Sequence, residues 1–325
     1  MPRLIGATQT ASKSDKINTF NSTGTFNPGS GGYAPSTVDI LVVAGGGGGG
    51  TGGGGAGGFR TFPSHPFTAG TPYPITVGAG GSGVTPAAAP TNGSDSTVGF
   101  PSALTSAGGG YGGRTGNANS GGSGGGGRGS IYAPQRLGGA GNTPPTTPPQ
   151  GNNGSDAYNR EYGGAGGGAS AAGTAAPPSI PLPSFPTTPG LAGGAGSPST
   201  ISGSDVTYAG GGGGGTVAPS IYAPGNYGPP GPGGAGGGGA GGAGPSVPTP
   251  VSHPTLGNGS NGTANLGGGG GGAGGVQGDP AESLTSAGNG GSGVVIIKEP
   301  NGNFSAGGMW TLRTQLLQSK AGNWI

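Results

Sequence analysis

The chain has 325 residues, of which 91 are glycine and 33 proline, and only 29% are hydrophobic even when alanine is counted. Eleven basic and nine acidic residues leave a net charge of +2, and there is no cysteine. This composition excludes an ordinary globular enzyme with a large aliphatic core, a disulfide scaffold or thiolate metal site, and a nucleic-acid binder that works through a strongly basic surface.

Ordering glycine costs more backbone entropy than ordering any other residue, and the few large apolar side chains cannot offset that cost over the whole chain. An ordered chain of this kind has to be held mainly by backbone hydrogen bonding. Charge-driven disorder fits poorly, because only 6% of residues are charged.

In chain order, the start lacks the apolar core of a signal peptide. Ile17–Phe20 and Thr25–Asn27 read as a small hairpin around Gly24, so 1–36 is expected to be an N-terminal hairpin and attachment region. Val38–Val43 and Val294–Lys298 read as buried strands, placed to pair and close the domain. Between them, 37–300 form the glycine-rich region. Six consecutive glycines occur at Gly45–Gly50, Gly210–Gly215 and Gly267–Gly272. Short, partly β-like segments feed the glycine-rich stretches: Asp39–Ala44, Ala103–Ala107, Asp205–Ala209, Thr263–Leu266 and Ser283–Ala287. The words LTSAG and SIYAP each occur twice.

Glycine does not recur at every third position, which excludes a collagen triple helix. The left-handed extended helix with three residues per turn has no internal hydrogen bonds, so its N–H and C=O groups point outward. Without Cβ atoms such helices can approach closely and bond to neighbours on several sides, satisfying the buried backbone. The fold class expected is therefore mostly irregular and β. Its body would be a bundle, or sandwich, of polyglycine-II and polyproline-II helices, with short flanking β-strands and one short C-terminal helix. Alanine within the runs is expected on an outer face.

Pro/Ser/Thr/Asn-rich stretches interrupt the runs at roughly 131–162, 174–205, 217–232 and 245–263. Asn92-Gly93, Asn153-Gly154, Asn258-Gly259 and Asn261-Gly262 favour tight turns there. The stretches carry Tyr132, Tyr158, Tyr162, Phe185, Tyr222 and Tyr227, with Arg136 and Arg160 nearby. Tyr and Arg are favoured contact residues, so these eight are the candidate binding positions. Tyr132 and Tyr222, in the repeated SIYAP, also suit packing against the side of the bundle. After Pro300 the composition changes. Met309–Ala321 reads as a helix with Leu312, Leu316 and Leu317 on one face, too short to stand alone. With Trp310 and Trp324 it makes 301–325 a docking segment, either on this chain's own sheet or on another assembly protein.

Several segments now carry a resemblance. VDILVVAGGGGGG (Val38–Gly50), TPYPITVGAGGSG (Thr71–Gly83) and GGSGVVIIKEP (Gly290–Pro300) resemble the glycine-rich domain of bacteriophage tail-fibre proteins. INTFNSTGTF (Ile17–Phe26) resembles the strand pair that introduces it, and Gly307–Ile325 is similar to the ends of glycine-rich structural proteins of marine and cyanobacterial phages. The resemblance implies a virion fibre or fibre-tip protein whose loops bind lipopolysaccharide, outer-membrane protein or capsule on the host. Its partners would be other virion fibre proteins, as a trimer or on a trimeric shaft. The longer Pro-rich loops and the Trp310 segment depart from the fibre-tip adhesins and keep a second reading open, a purely structural virion component such as a capsid fibre or tail scaffold.

Catalysis finds little support. His65 and His253 each sit in Ser-His-Pro, and two His with no Cys make a metal centre or a Ser-His-Asp triad improbable. GxGxxG matches abound only because glycine matches everything, and no helix follows them as a dinucleotide site requires. No Gly-Lys-Ser/Thr is present. The acids are too dispersed to nominate a glycosidase pair. The expectation is no enzyme, no metal and no cofactor. Other classes fit less well. An ice-binding bundle wants a regular Ala/Thr face, and a silk-like matrix protein wants a signal peptide. An RNA-binding Arg-Gly protein wants more Arg among the glycines than Arg114 and Arg128.

Overall fold

The computed structural model describes residues 15–28, 36–85, 88–129, 136–157, 162–175, 190–219, 229–244, 257–277 and 283–300. Among them there are strands, turns and long extended tracts, and no α-helix. The C-terminal helix expected over Met309–Ala321 lies outside the described residues. The strands are β1 (Lys16–Phe20), β2 (Gly24–Phe26), β3 (Thr37–Val43), β4 (Phe59–Pro66), β5 (Tyr73–Thr76), β6 (Ser96–Val98), β7 (Leu104–Ser106), β8 (Ser197–Ser199), β9 (Val206–Tyr208), β10 (Val217–Pro219), β11 (Gly275–Gln277), β12 (Ser283–Leu284) and β13 (Val294–Glu299).

β3 and β13 pair antiparallel, with Val43 opposite Val294 and Ile40 opposite Ile297, as their apolar runs predict. They form the centre of a four-stranded sheet ordered β1-β13-β3-β4. Alternate residues of a strand face opposite sides, and both sides here are covered. Val38, Ile40, Val42, Val295 and Ile297 pack with Phe26, Tyr73, Ile75 and Val98 of a second sheet, β2-β5-β6-β7. Leu41, Val43, Val294 and Ile296 pack on the other side with Ala56, Tyr208 and Ala209, supported by Val206, Ile201 and Leu266. This two-faced burial explains why β3 and β13 are unbroken apolar runs.

The expected N-terminal hairpin is not formed. β1 pairs with β13 and β2 pairs with β5, so the two strands enter different sheets. Phe20 and Phe26 approach one core from its two sides; facing sheets bury Phe26 and half-bury Phe20, which a two-stranded hairpin alone cannot do.

Beyond the sheets the chain runs in extended tracts whose hydrogen bonds repeat every three residues. In the tract 44–50, Gly45 and Gly48 donate to Ser94 and Thr91, Gly46 and Gly49 to Gly291 and Gly288, and Gly47 and Gly50 to Gly55 and Gly52. The carbonyls follow the same period: Gly45 and Gly48 accept from Gly109 and Gly112, Gly46 and Gly49 from Gly81 and Val84, and Gly47 and Gly50 from Gly270 and Ala273. One tract thus bonds to six neighbours. Residues 40–58 are buried throughout, yet Thr51 is the largest side chain between Ala44 and Gly58. This interior satisfies its backbone through other tracts instead of through helix or sheet.

Three expectations need correction. The alanines of the runs divide: Ala140, Ala195 and Ala235 are exposed as expected, but Ala56, Ala165 and Ala273 are 0% exposed. Ala56 and Ala273 sit where a methyl joins an apolar cluster. The Asn-Gly pairs do not form tight turns; they lie in extended tracts, and their side chains close the lattice edge. Asn289 Oδ1 accepts from Gly83 N at 2.8 Å, Asn261 Oδ1 from Asn289 N at 2.8 Å, and Asn258 Oδ1 from Ser286 N at 3.1 Å. An outer tract has no neighbour for these donors, and a short amide supplies the acceptor. Finally, Thr263–Leu266 leads into its glycine run through a turn, not a strand.

Candidate functional site

The tracts give the molecule two unlike ends. At the proximal end stands the sandwich, where Lys16 faces Glu299 across the ladder and their side chains pair at 2.8 Å. Lys298 lies 3.4 Å from Asp15 and 3.5 Å from Asp39. The described residues that adjoin 1–14 and 301–325 are therefore side by side here. The tract 44–50 leaves the lattice side of β3, turns at Thr51, and returns as 52–58 into β4.

That turn defines the distal end, and the register carries the other tract ends to it. Val84 N donates to Gly49 O, Gly113 N to Gly126 O, Ala157 N to Arg136 O, and Gly163 N to Gly215 O. Thr174 N reaches Ala192 O, Gly190 N reaches Pro229 O, and Gly257 N reaches Ala243 O. Thr216 Oγ1 accepts from Gly244 N at 2.7 Å. A small sheet, β10-β11-β12, closes part of this end. The described residues flanking 86–87, 130–135, 158–161, 176–189, 220–228, 245–256 and 278–282 all belong to it.

Of the candidate binding residues, the structure describes Arg136 and Tyr162. Both lie at this end, but in different settings. Tyr162 is 5% exposed and bridged to Thr216. Arg136 is half-buried, its carbonyl accepting from Ala157 N at 3.2 Å. Tyr132, Tyr158, Arg160, Phe185, Tyr222 and Tyr227, and the docking candidates Trp310, Leu312, Leu316, Leu317 and Trp324, lie outside the described residues.

The same end holds residues outside the eight binding candidates. Arg114 is half-buried in the turn after the tract 107–113 and donates from Nη1 to Ala88 O at 3.0 Å. Arg128 ends the tract 123–129, and Leu137, beside Arg136, is 54% exposed. The described lysines are in the sandwich, as is Arg60, which donates to Thr105 O at 2.6 Å and lies over the Phe62 ring. The usable signal was spacing: Tyr111 and Arg114 are three apart, the period of the hydrogen bonds. Among the described residues no group of three His, Asp or Glu comes together as a metal site, and no helix is long and apolar enough to cross a membrane.

A family model for the glycine-rich domain matches residues 21–299. The chain belongs to the glycine-rich domain family. The match starts just after β1 and ends with β13, so the domain takes in the tracts, β2 to β13 and the flanks of the distal segments. No curated protein matches the chain.

Proposed function

We propose that the glycine tracts are polyglycine-II helices packed as a sandwich, and that this domain is a virion fibre or fibre-tip component displaying loops to the host bacterial surface. The three-residue hydrogen-bond period and the six neighbours of 44–50 support the first part. The observation that carries the second is the polarity of the molecule. The residues adjoining the terminal segments meet at the proximal end, while seven intervening segments are flanked by residues at the other. A backbone lattice without a large side-chain core makes a rigid stalk, and rigid scaffolds let loops vary without loss of the fold. On this reading 1–36 and 301–325 serve attachment to other fibre proteins, as a trimer or on a trimeric shaft, and 37–300 is the display domain. The protein acts by binding, with no catalytic step or cofactor.

The test is electron microscopy of intact particles labelled with an antibody against residues 136–157. Label at distal fibre tips, with adsorption blocked, is expected. Label on the capsid or tail body without effect on adsorption would replace receptor binding with a purely structural role.

A further inference from the structure

We propose that the distal corner built from Tyr111, Arg114, Arg128, Arg136 and Leu137 is a binding site for an acidic glycan. The inference rests on the display reading and adds the chemistry that the displayed surface recognises.

The corner is assembled from adjacent tracts. Gly113 N donates to Gly126 O at 2.9 Å, joining the tract before Arg114 to the one that ends at Arg128. A Cβ on Gly127 would meet Arg136 O, so the third tract is in contact with the second. Leu137 closes the group: its N–H donates to Asn117 Oδ1 at 3.2 Å and its carbonyl accepts from Ala118 N at 3.1 Å, both in the strip after Arg114. Backbones joined this way lie about 5 Å apart, so the three arginines are carried on neighbouring rods.

Charge is divided between the ends. The described lysines sit in the sandwich with Asp15, Asp39 and Glu299 as partners. Among the described residues the carboxylate at the corner is Asp156, whose Oδ1 already accepts from Gly138 N at 2.8 Å, and Arg128 is itself engaged. Arg114 uses one of its five donors on Ala88 O. Arg136 Nε is buried and has no partner among the described residues. Planar guanidinium forks match carboxylate and phosphate oxygens. Beside them, Leu137 and the half-buried Tyr111 add apolar surface. Tyr111 lies in the last turn of the tract that leads to Arg114, with its N–H on Asn92 Oδ1 at 3.0 Å. Cations beside an aromatic ring suit an acidic sugar, whose ring offers C–H faces as well as charge. Three cations make a short track for a nucleic acid, whose affinity comes from many phosphate contacts and successive base stacking.

The experiment measures binding of the full chain to polygalacturonate, to a phosphorylated mannan, to neutral dextran and to a single-stranded DNA oligomer. Binding to the carboxylate or the phosphate polymer, well above dextran and DNA, is expected, and which polymer wins identifies the anion. The R114Q/R136Q variant should lose at least about tenfold in affinity, while K16Q/K298Q, which removes the same charge at the proximal end, should not. Thermal unfolding checks that both variants fold, and if the arginine pair does not, R114Q alone carries the comparison. Equal binding to dextran, equal or tighter binding to DNA, or equal loss in the lysine variant would overturn the site. Adsorption to cells separates the two readings. Wild-type and R114Q/R136Q proteins binding cells alike would remove the corner and keep the display function. Arginine-dependent glycan binding without cell binding would do the reverse.

Discussion

A methyl group placed on Gly271 would lie less than 3.0 Å from the carbonyl oxygen of Ala240, far inside van der Waals contact. The obstacle is backbone and cannot rotate away. Gly271 N donates to Ser260 O at 2.9 Å, and its carbonyl accepts from Gly288 N at 2.9 Å, so separating the tracts also stretches hydrogen bonds. Gly271→Ala is expected to cost at least about 3 kcal/mol, combining overpacking with lost hydrogen bonds. Gly116→Ala is the control: nothing lies within 4 Å of its added Cβ, and its φ is not in the left-handed region. It should be neutral or stabilising by up to about 1 kcal/mol through the unfolded chain. Denaturant unfolding of the two variants measures the contrast, and equal effects would rule out a close-packed glycine interior.

The sequence disclosed the closing strand pair because burial on both faces leaves β3 and β13 with uninterrupted apolar runs. It also disclosed why the runs are so pure, since two alanines besides glycine and the single Thr51 make up the buried stretch from Ala44 to Gly58. It misassigned β1 and β2, because a short link between two strands looks the same whether they pair or diverge into facing sheets. Asn-Gly was misread for a similar reason. The dipeptide suits a turn locally, and only the lattice edge reveals unpaired N–H groups that need an acceptor. Arg114, Arg128 and Arg136 lie in separate sequence neighbourhoods, and the tract register alone brings them to one corner.

The lattice edge yields its own prediction. Asn289 Oδ1 accepts from Gly83 N, while Asn289 N donates to Asn261 Oδ1, so one amide chain links three tracts. Asn289→Ala removes the acceptor and should destabilise by about 1 kcal/mol, the usual net value of a hydrogen bond. Amide exchange at Gly83 should accelerate, while exchange at Gly47, bonded to Gly55 inside the lattice, should follow only the global stability. Hydrogen-exchange spectroscopy distinguishes this local effect from general loosening.

Gln150, at 1% exposure, is the largest fully buried polar side chain among the described residues. Its Oε1 accepts from Ala107 N at 2.8 Å and its Nε2 donates to Pro144 O at 2.8 Å, tying the tract after β7 to the proline-rich turn. Gln150→Leu leaves both groups without partners and should cost about 2–4 kcal/mol. Gln150→Glu keeps the acceptor toward Ala107 but puts a carboxylate oxygen against Pro144 O. Protonated, that carboxyl donates as the amide did, so its folded pKa is expected to lie above the usual 4.3 or so. The variant should then be most stable in acid and lose stability as pH rises through the folded pKa. Thermal midpoints across that range, compared with the wild type, give the sign.

His65 sets a pH dependence of the opposite sign. Its ring lies 4.7 Å from the Phe100 ring and 6.5 Å from that of Phe62, and burial lowers its pKa from the ordinary 6.5. The charged groups around it do not offset that loss of water. Arg60 sits over the far aromatic neighbour, Phe62, and Asp39 is occupied by Ser64 N at 3.0 Å and by Lys298. Because the folded state binds this proton less readily than the unfolded chain, the contribution is complete above about pH 6.5. It is lost as pH falls from there toward the folded pKa. The thermal midpoint should therefore drop between pH 7.5 and pH 5.5, and His65→Gln should flatten that part of the profile. An unchanged slope in the variant would take the effect away from His65, and carboxylates, with pKa values of about 4, would account for loss only at lower pH.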